Sequence, residues 1–251
     1  MKKLFAILAV AALFAACGEE PNNGGGNTQK PDVNIDPDFV SAITIDGNYA
    51  DWDALTENVQ VATLPEGECR YSQLKTFKLH ADEYFIHIYC EFDPTNTLVF
   101  VPYFDLDNDA STGTTSKWNG GGYEAKAEGD IWEWSLDANE EPVAQVAPKA
   151  WDPAFYYYNP ETGDTDEICA SGIGAVESSV PALTANGTYA FEAAIIRELI
   201  AAYGLGDAIT VGMIQYDMNW SYIGMLPCQN EESRNAGVLE EMLTVALPEP
   251  K

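Results

Sequence analysis

Apolar and polar residues alternate over short stretches along most of this 251-residue chain, and that alternation predicts strands. Residues 74–81 and 84–92 give the clearest pair; they meet at Asp82-Glu83 and read as a β-hairpin. In the second, Tyr84, Ile86, Ile88, Cys90 and Phe92 share one face, with His87 and Glu91 on the other. In 99–104, Val99, Val101 and Tyr103 alternate with Phe100, Pro102 and Phe104. This strand runs directly into Asp105-Leu106-Asp107-Asn108-Asp109 and then into Ser, Thr and Gly, ending at Gly120-Gly121-Gly122. Further strands are predicted at 42–47, 143–146, 188–195, 208–217, 221–226 and 242–247, and a pair within 123–136 broken at Glu128-Gly129-Asp130. Only 197–203 has helical composition, and Gly204 and Gly206 end it. About a dozen short strands, one short helix and many turn signals predict an all-β fold, an antiparallel β-sandwich.

The ends of the chain do not share this pattern. Lys2 and Lys3 precede an apolar run at 4–16 that is too short for a stable membrane span, as in a signal peptide. Phe14-Ala15-Ala16-Cys17 resembles a bacterial lipobox, which makes Cys17 the candidate lipidation site. Gly18-Glu19-Glu20 resembles the surface-export signal of lipoproteins from Bacteroides-like bacteria. The expectation is therefore a lipid-anchored outer-membrane protein facing the cell surface. Residues 18–38 are rich in Pro, Asn, Gly and Asp, which predicts a disordered tether. Residues 39–251 remain for a single β-sandwich domain.

Charge narrows the partners. The net charge of −28 becomes −30 once Lys2 and Lys3 are removed. Such a surface repels nucleic acid and anionic lipid, leaving the lipid anchor as the expected membrane contact. Cys69, Cys90, Cys169 and Cys228 show no CxxC spacing, which argues against a zinc site. In an exported protein they are free to form disulfides, with three pairings open. Cys90, on the apolar face of its strand, reads equally as a buried thiol.

Four stretches in order resemble the family-nine carbohydrate-binding module and the wider DOMON-like sandwiches. These are ITIDGNYADWDAL at 43–55, the hairpin around Asp82-Glu83, FDLDNDASTG followed by GGGYEAKAEGD, and FEAAIIREL followed by AITVGMIQYDMNWSYIGMLP. The resemblance spans nearly all of 39–251. It implies a carbohydrate-binding fold in which sugar stacks on aromatic rings and calcium stabilises loops.

Sugar binding requires flat apolar faces with polar groups at their edges. Trp118, Trp151 and Trp220 fall in predicted loop regions, and Tyr157 lies in the aromatic stretch 151–159. These four are the candidate ligand residues, with Asp217 and Asn219 as hydrogen-bond partners. Asp105, Asp107 and Asp109 are the candidate ligands for a cation, expected to be calcium. They resemble the first part of an EF-hand loop, but Ala110 stands at its glycine position and Ser116 at its twelfth. No GxSxG, HExxH or P-loop occurs, so the chain is read as non-catalytic. A structural or adhesive subunit that docks a surface protein is the alternative to glycan binding.

Overall fold

The computed structural model describes residues 30–93, 97–115, 118, 122–238 and 240–249. The leader at 1–17, with Cys17, lies outside the described residues, as do 18–29 of the predicted tether. In chain order the first strands are β1 (Val59–Thr63), β2 (Leu74–Ala81), β3 (Phe85–Phe92), β4 (Thr97–Asp105), β5 (Thr114–Thr115) and β6 (Gly122–Tyr123). Next come β7 (Ala125–Asp130), β8 (Trp132–Leu136), β9 (Pro142–Pro148), β10 (Ala154–Tyr158), β11 (Thr165–Cys169) and β12 (Val176–Ser178). The last are β13 (Ala182–Leu183), β14 (Tyr189–Ile196), β15 (Ala208–Asp217), β16 (Tyr222–Leu226) and β17 (Leu243–Ala246). Three short helices accompany them: α1 (Ala50–Ala54), α2 (Glu198–Ala201) and α3 (Glu231–Asn235).

Two antiparallel sheets form a sandwich. One has the order β1-β2-β3-β14-β12, with β13 also on β14; the other runs β11-β10-β7-β4-β15-β16, with β17 also on β15. Between them lies the main core. Phe77, Ile88, Cys90, Phe92, Phe191 and Ile195 from the first sheet meet Phe100, Phe104, Ala127, Phe155, Val211 and Met213 from the second. Phe92, Phe100 and Phe191 pack edge to face, with ring centroids 4.8 Å and 5.2 Å apart.

β4 is buried on both faces. Phe100 and Phe104 enter the main core, whereas Val99, Val101 and Tyr103 join Trp118, Ile214, Tyr216 and Met242 in a second cluster outside the seven-stranded sheet. A third cluster, Ile43, Trp52, Tyr89 and Ala190, covers part of the outer face of the other sheet.

Three elements depart from the periodicity. Residues 42–47 form no strand, because side chains satisfy their backbone: Thr44 N–H donates to Asp51, and Asp46 and Gly47 N–H both donate to Glu192 Oε1. Glu128-Gly129-Asp130 ends β7 instead of breaking a hairpin, and β8 pairs with β9. Gly129 belongs in that strand because Trp151 packs on it; a Cβ there would lie 2.5 Å from the indole nitrogen. The predicted helix at 197–203 shrinks to the single turn of α2. Residues 30–38 carry no regular element, and Asp36 N–H donates to Tyr84 Oη at 3.1 Å.

Glu192 holds the N-terminal segment onto the sheet. Its carboxylate is fully buried and also accepts from Trp52 Nε1 at 2.9 Å. Glu192→Ala leaves these donors unpaired and should cost about 2–4 kcal/mol in urea denaturation. A loss within about 0.5 kcal/mol, the range of an ordinary surface change, would show that the segment is held by other contacts.

Candidate functional site

β4 carries the acidic loop to the rim of the seven-stranded sheet, and the chain returns antiparallel through β6 and β7. Glu124 sits at the joint between these two strands, where its N–H donates to Phe104 O at 3.0 Å. This return places Glu124 beside the loop. One oxygen each from Asp105, Asp107 and Glu124 lies within 4.8 Å of the others. Asp109 is not in this group: Oδ1 accepts from Ser111 N–H and Ser111 Oγ, capping a turn, and these bonds hold its carboxyl below the ordinary range. The predicted trio of aspartates is therefore replaced by two aspartates and a glutamate.

Donors meet most oxygens of this group, Asp107 Oδ1 accepting from Asp109 N–H at 2.9 Å, but not all of them. Glu124 accepts from Leu106 N–H through Oε2 at 2.7 Å and from Thr112 Oγ1 through Oε1 at 2.8 Å. Thr112 Oγ1 also lies 3.0 and 3.1 Å from the two Asp107 oxygens and 2.9 Å from Asp109 O. A hydroxyl has a single proton and serves only one of these four acceptors. Asp105 is 3% exposed, and its Oδ1 is buried without a partner. Burial raises the Asp105 carboxyl to about 6, and the Glu124 and Asp107 charges add to this, outweighing bonds from Asn108 and Asp109 N–H. Burial also raises Glu124, opposed by the Leu106 and Thr112 bonds. Gly113, at φ +63°, lets the loop pass over Glu124, where a Cβ would overlap its carboxylate. An oxygen-only, electron-rich group with an orphaned buried oxygen fits a hard cation and could hold a metal.

The six candidate ligand residues divide among separate places. Trp118 is 7% exposed and donates through Nε1 to Pro227 O at 2.7 Å. Its ring lies on Gly212, where a Cβ would come within 2.6 Å. Trp151 is 1% exposed and donates to Gly129 O at 3.1 Å. Both indoles thus serve packing, and neither offers a face to solvent. Tyr157 is half-buried against Tyr203, with ring centroids 4.9 Å apart.

Asp217, Asn219 and Trp220 do come together, in the turn between β15 and β16. Asp217 Oδ1 accepts from Asn219 and Ser221 N–H at 2.8 and 2.9 Å, which fixes the turn. Trp220 is 53% exposed and adopts φ +57°, an unusual conformation for a bulky residue. Behind it stand residues that loop-by-loop reading missed. Trp220 meets Tyr216 at 5.6 Å, Tyr216 meets Tyr222 at 5.0 Å, and Tyr222 meets Tyr71 at 5.7 Å. The Arg70 guanidinium lies 5.2 Å from the Tyr71 ring centre. The hairpin at 208–226 signals that Tyr216 and Tyr222 face each other; Tyr71 comes from a distant loop with no such signal.

Two other features fall away from these groups. Ser41, Asp82 and His87 gather, but His87 Nε2 faces both the Asp82 carboxylate, at 2.8 Å, and Ser41 Oγ, at 3.3 Å. A hydrolase triad uses the two ring nitrogens separately, and this trio does not. A shallow cavity of about 240 Å³ lies where Pro31 and Asp32 meet α2, and no candidate ligand residue lines it. Comparison with known proteins finds no family model, curated protein or solved structure that matches the chain.

Asp105 gives a pH test. Its raised folded value means that ionisation opposes folding, so cation-free protein loses stability as pH climbs from near 3.8 through about 6. In chelator, the native protein should therefore melt at a higher temperature at pH 5 than at pH 7. Asp105→Asn should shrink that difference and raise the pH 7 melting temperature. A variant that melts below wild type in chelator at pH 7 would contradict the assignment.

Proposed function

We propose that this chain is a non-catalytic, lipid-anchored surface protein whose sandwich binds a carbohydrate at the aromatic hairpin tip. The observation that carries the reading is Trp220, half exposed in a left-handed turn at the head of the Trp220–Tyr216–Tyr222–Tyr71 row. Pyranose rings present C–H patches that stack on such rings, and Asp217 and Asn219 flank the tip with polar groups. The lipobox-like Cys17 and acidic residues after it support surface anchoring. Calcium is the cation proposed for Asp105, Asp107 and Glu124, since these offer only carboxylate oxygens. Bound there, it would neutralise the buried charge and fix the loop at 105–112.

A second reading has its own observation. Leu136, Val143 and Val146 are exposed on the two-stranded β8–β9 ribbon, which suits docking of a protein partner. Calorimetric titration of the mature chain against an oligosaccharide panel in calcium separates the two. Saturable heat with one glycan class is expected. Trp220→Ala should weaken it roughly thirtyfold, about 2 kcal/mol, while Val146→Ser leaves it unchanged. Absence of heat across the panel would remove the glycan reading and leave the ribbon as the working surface.

A further inference from the structure

The four domain cysteines do not stand in equivalent places. Cys90 is buried in the core on β3, and Cys169 is buried on β11, in the other sheet. Cys69 and Cys228 lie in loops far apart in sequence, yet they come near enough that the Cys69 thiol helps to raise that of Cys228. The two loops are already stitched side by side. Cys69 and Asn230 form an isolated antiparallel bridge, Glu231 N–H donates to Glu68 O at 2.8 Å, and Asn230 Nδ2 donates to Glu66 O at 2.7 Å. Neither cysteine belongs to a group of three or more metal-ligating side chains among the described residues.

We propose that Cys69 and Cys228 form a disulfide in the exported protein, clamping the 65–71 loop to the segment after β16. The required change is small, because the Cys69–Asn230 bridge and the bonds from Glu231 N–H and Asn230 Nδ2 already hold the two loops side by side. The oxidant is a disulfide, either glutathione disulfide or that of a thiol-oxidising enzyme. Cys69, the more exposed thiol, loses its proton and attacks one sulfur of the oxidant, and the first thiolate leaves. Burial pushes the Cys228 thiol up to about 12, so it reacts second. Cys228 gives up its proton and attacks the Cys69 sulfur of the mixed disulfide, and the second oxidant thiolate departs. Two protein thiols have become one disulfide, and one oxidant disulfide has become two thiols.

The bond has a place in the architecture. Arg70 and Tyr71 follow Cys69 directly, and Tyr71 touches Tyr222 on β16. Cys228 follows Pro227, whose carbonyl holds the Trp118 indole. The clamp therefore fastens the far end of the aromatic row. The bond itself does not depend on what that row binds.

Reduced, folded protein incubated with glutathione disulfide, then alkylated and digested without reductant, tests the bond directly. The expected product joins the Cys69 and Cys228 peptides, with Cys90 and Cys169 alkylated after unfolding. Its melting temperature should fall when dithiothreitol is added, and that of Cys228→Ser should not respond. Alkylation of both Cys69 and Cys228, or a link of either to another cysteine, would overturn the proposal. Fractionation of cells producing the full chain separately tests export: envelope protein with free Cys69 and Cys228 thiols counts against the disulfide, while cytoplasmic protein counts against export alone.

Discussion

A carboxylate withdrawn from water must find donors in the protein or a cation, and much of the loop structure here follows from that requirement. Glu192 collects Asp46 N–H, Gly47 N–H and Trp52 Nε1, binding the N-terminal segment to the first sheet. Asp82 takes Tyr84 and Phe85 N–H through Oδ1 and contacts Ser41 and His87 through Oδ2, closing the β2–β3 hairpin. Burial opposes ionisation of Asp82, yet the bonds from His87, Ser41 and Tyr84 hold its carboxyl below the ordinary range. Asp105 moves the other way, to about 6, because burial opposes its ionisation, the Glu124 and Asp107 charges add to this, and the bonds from Asn108 and Asp109 N–H do not outweigh them. The contrast sets the 105–124 group apart from its structural counterparts.

That group and the aromatic row occupy the same sheet. β15 carries Thr210, paired with Asp105 on β4, and, further along, Tyr216 of the row. Between them Gly212 receives the Trp118 ring, and Trp118 reaches Pro227 just beyond β16. A rigid strand with the rim loop near one end and the hairpin at the other suits a scaffold that presents a ligand surface. Ordering of 105–112 by a cation would firm one end of this strand without touching the hairpin.

The sandwich was legible because its central strands alternate strongly, and β2, β3, β4 and β15 lie where periodicity predicts them. The segment at 42–47 misled, since its β-forming residues hide that Glu192, far along the chain, satisfies their backbone. The loop tryptophans misled for a similar reason. Trp118 and Trp151 are buried because Gly212 and Gly129 leave room for their rings, a match made across distant strands. The acidic loop was legible as a candidate, but its third member was not. Glu124 joins through the antiparallel return of β6 and β7, whereas Asp109, next in the pattern, turns to cap Ser111. The groupings legible from sequence were local ones, Asp105 with Asp107 in the rim loop and Asp217, Asn219 and Trp220 in a single turn.

The acidic group at Asp105, Asp107 and Glu124 could hold a metal, and we propose a hard divalent cation there. Calorimetric titration of calcium into chelator-treated protein at pH 7, repeated with Glu124→Gln, tests it most directly. The account predicts saturable binding at one site in the native protein, lost in the variant, with Asp109→Asn still binding. Equal binding by native and Glu124→Gln protein, or loss only on changing Asp109, would contradict it.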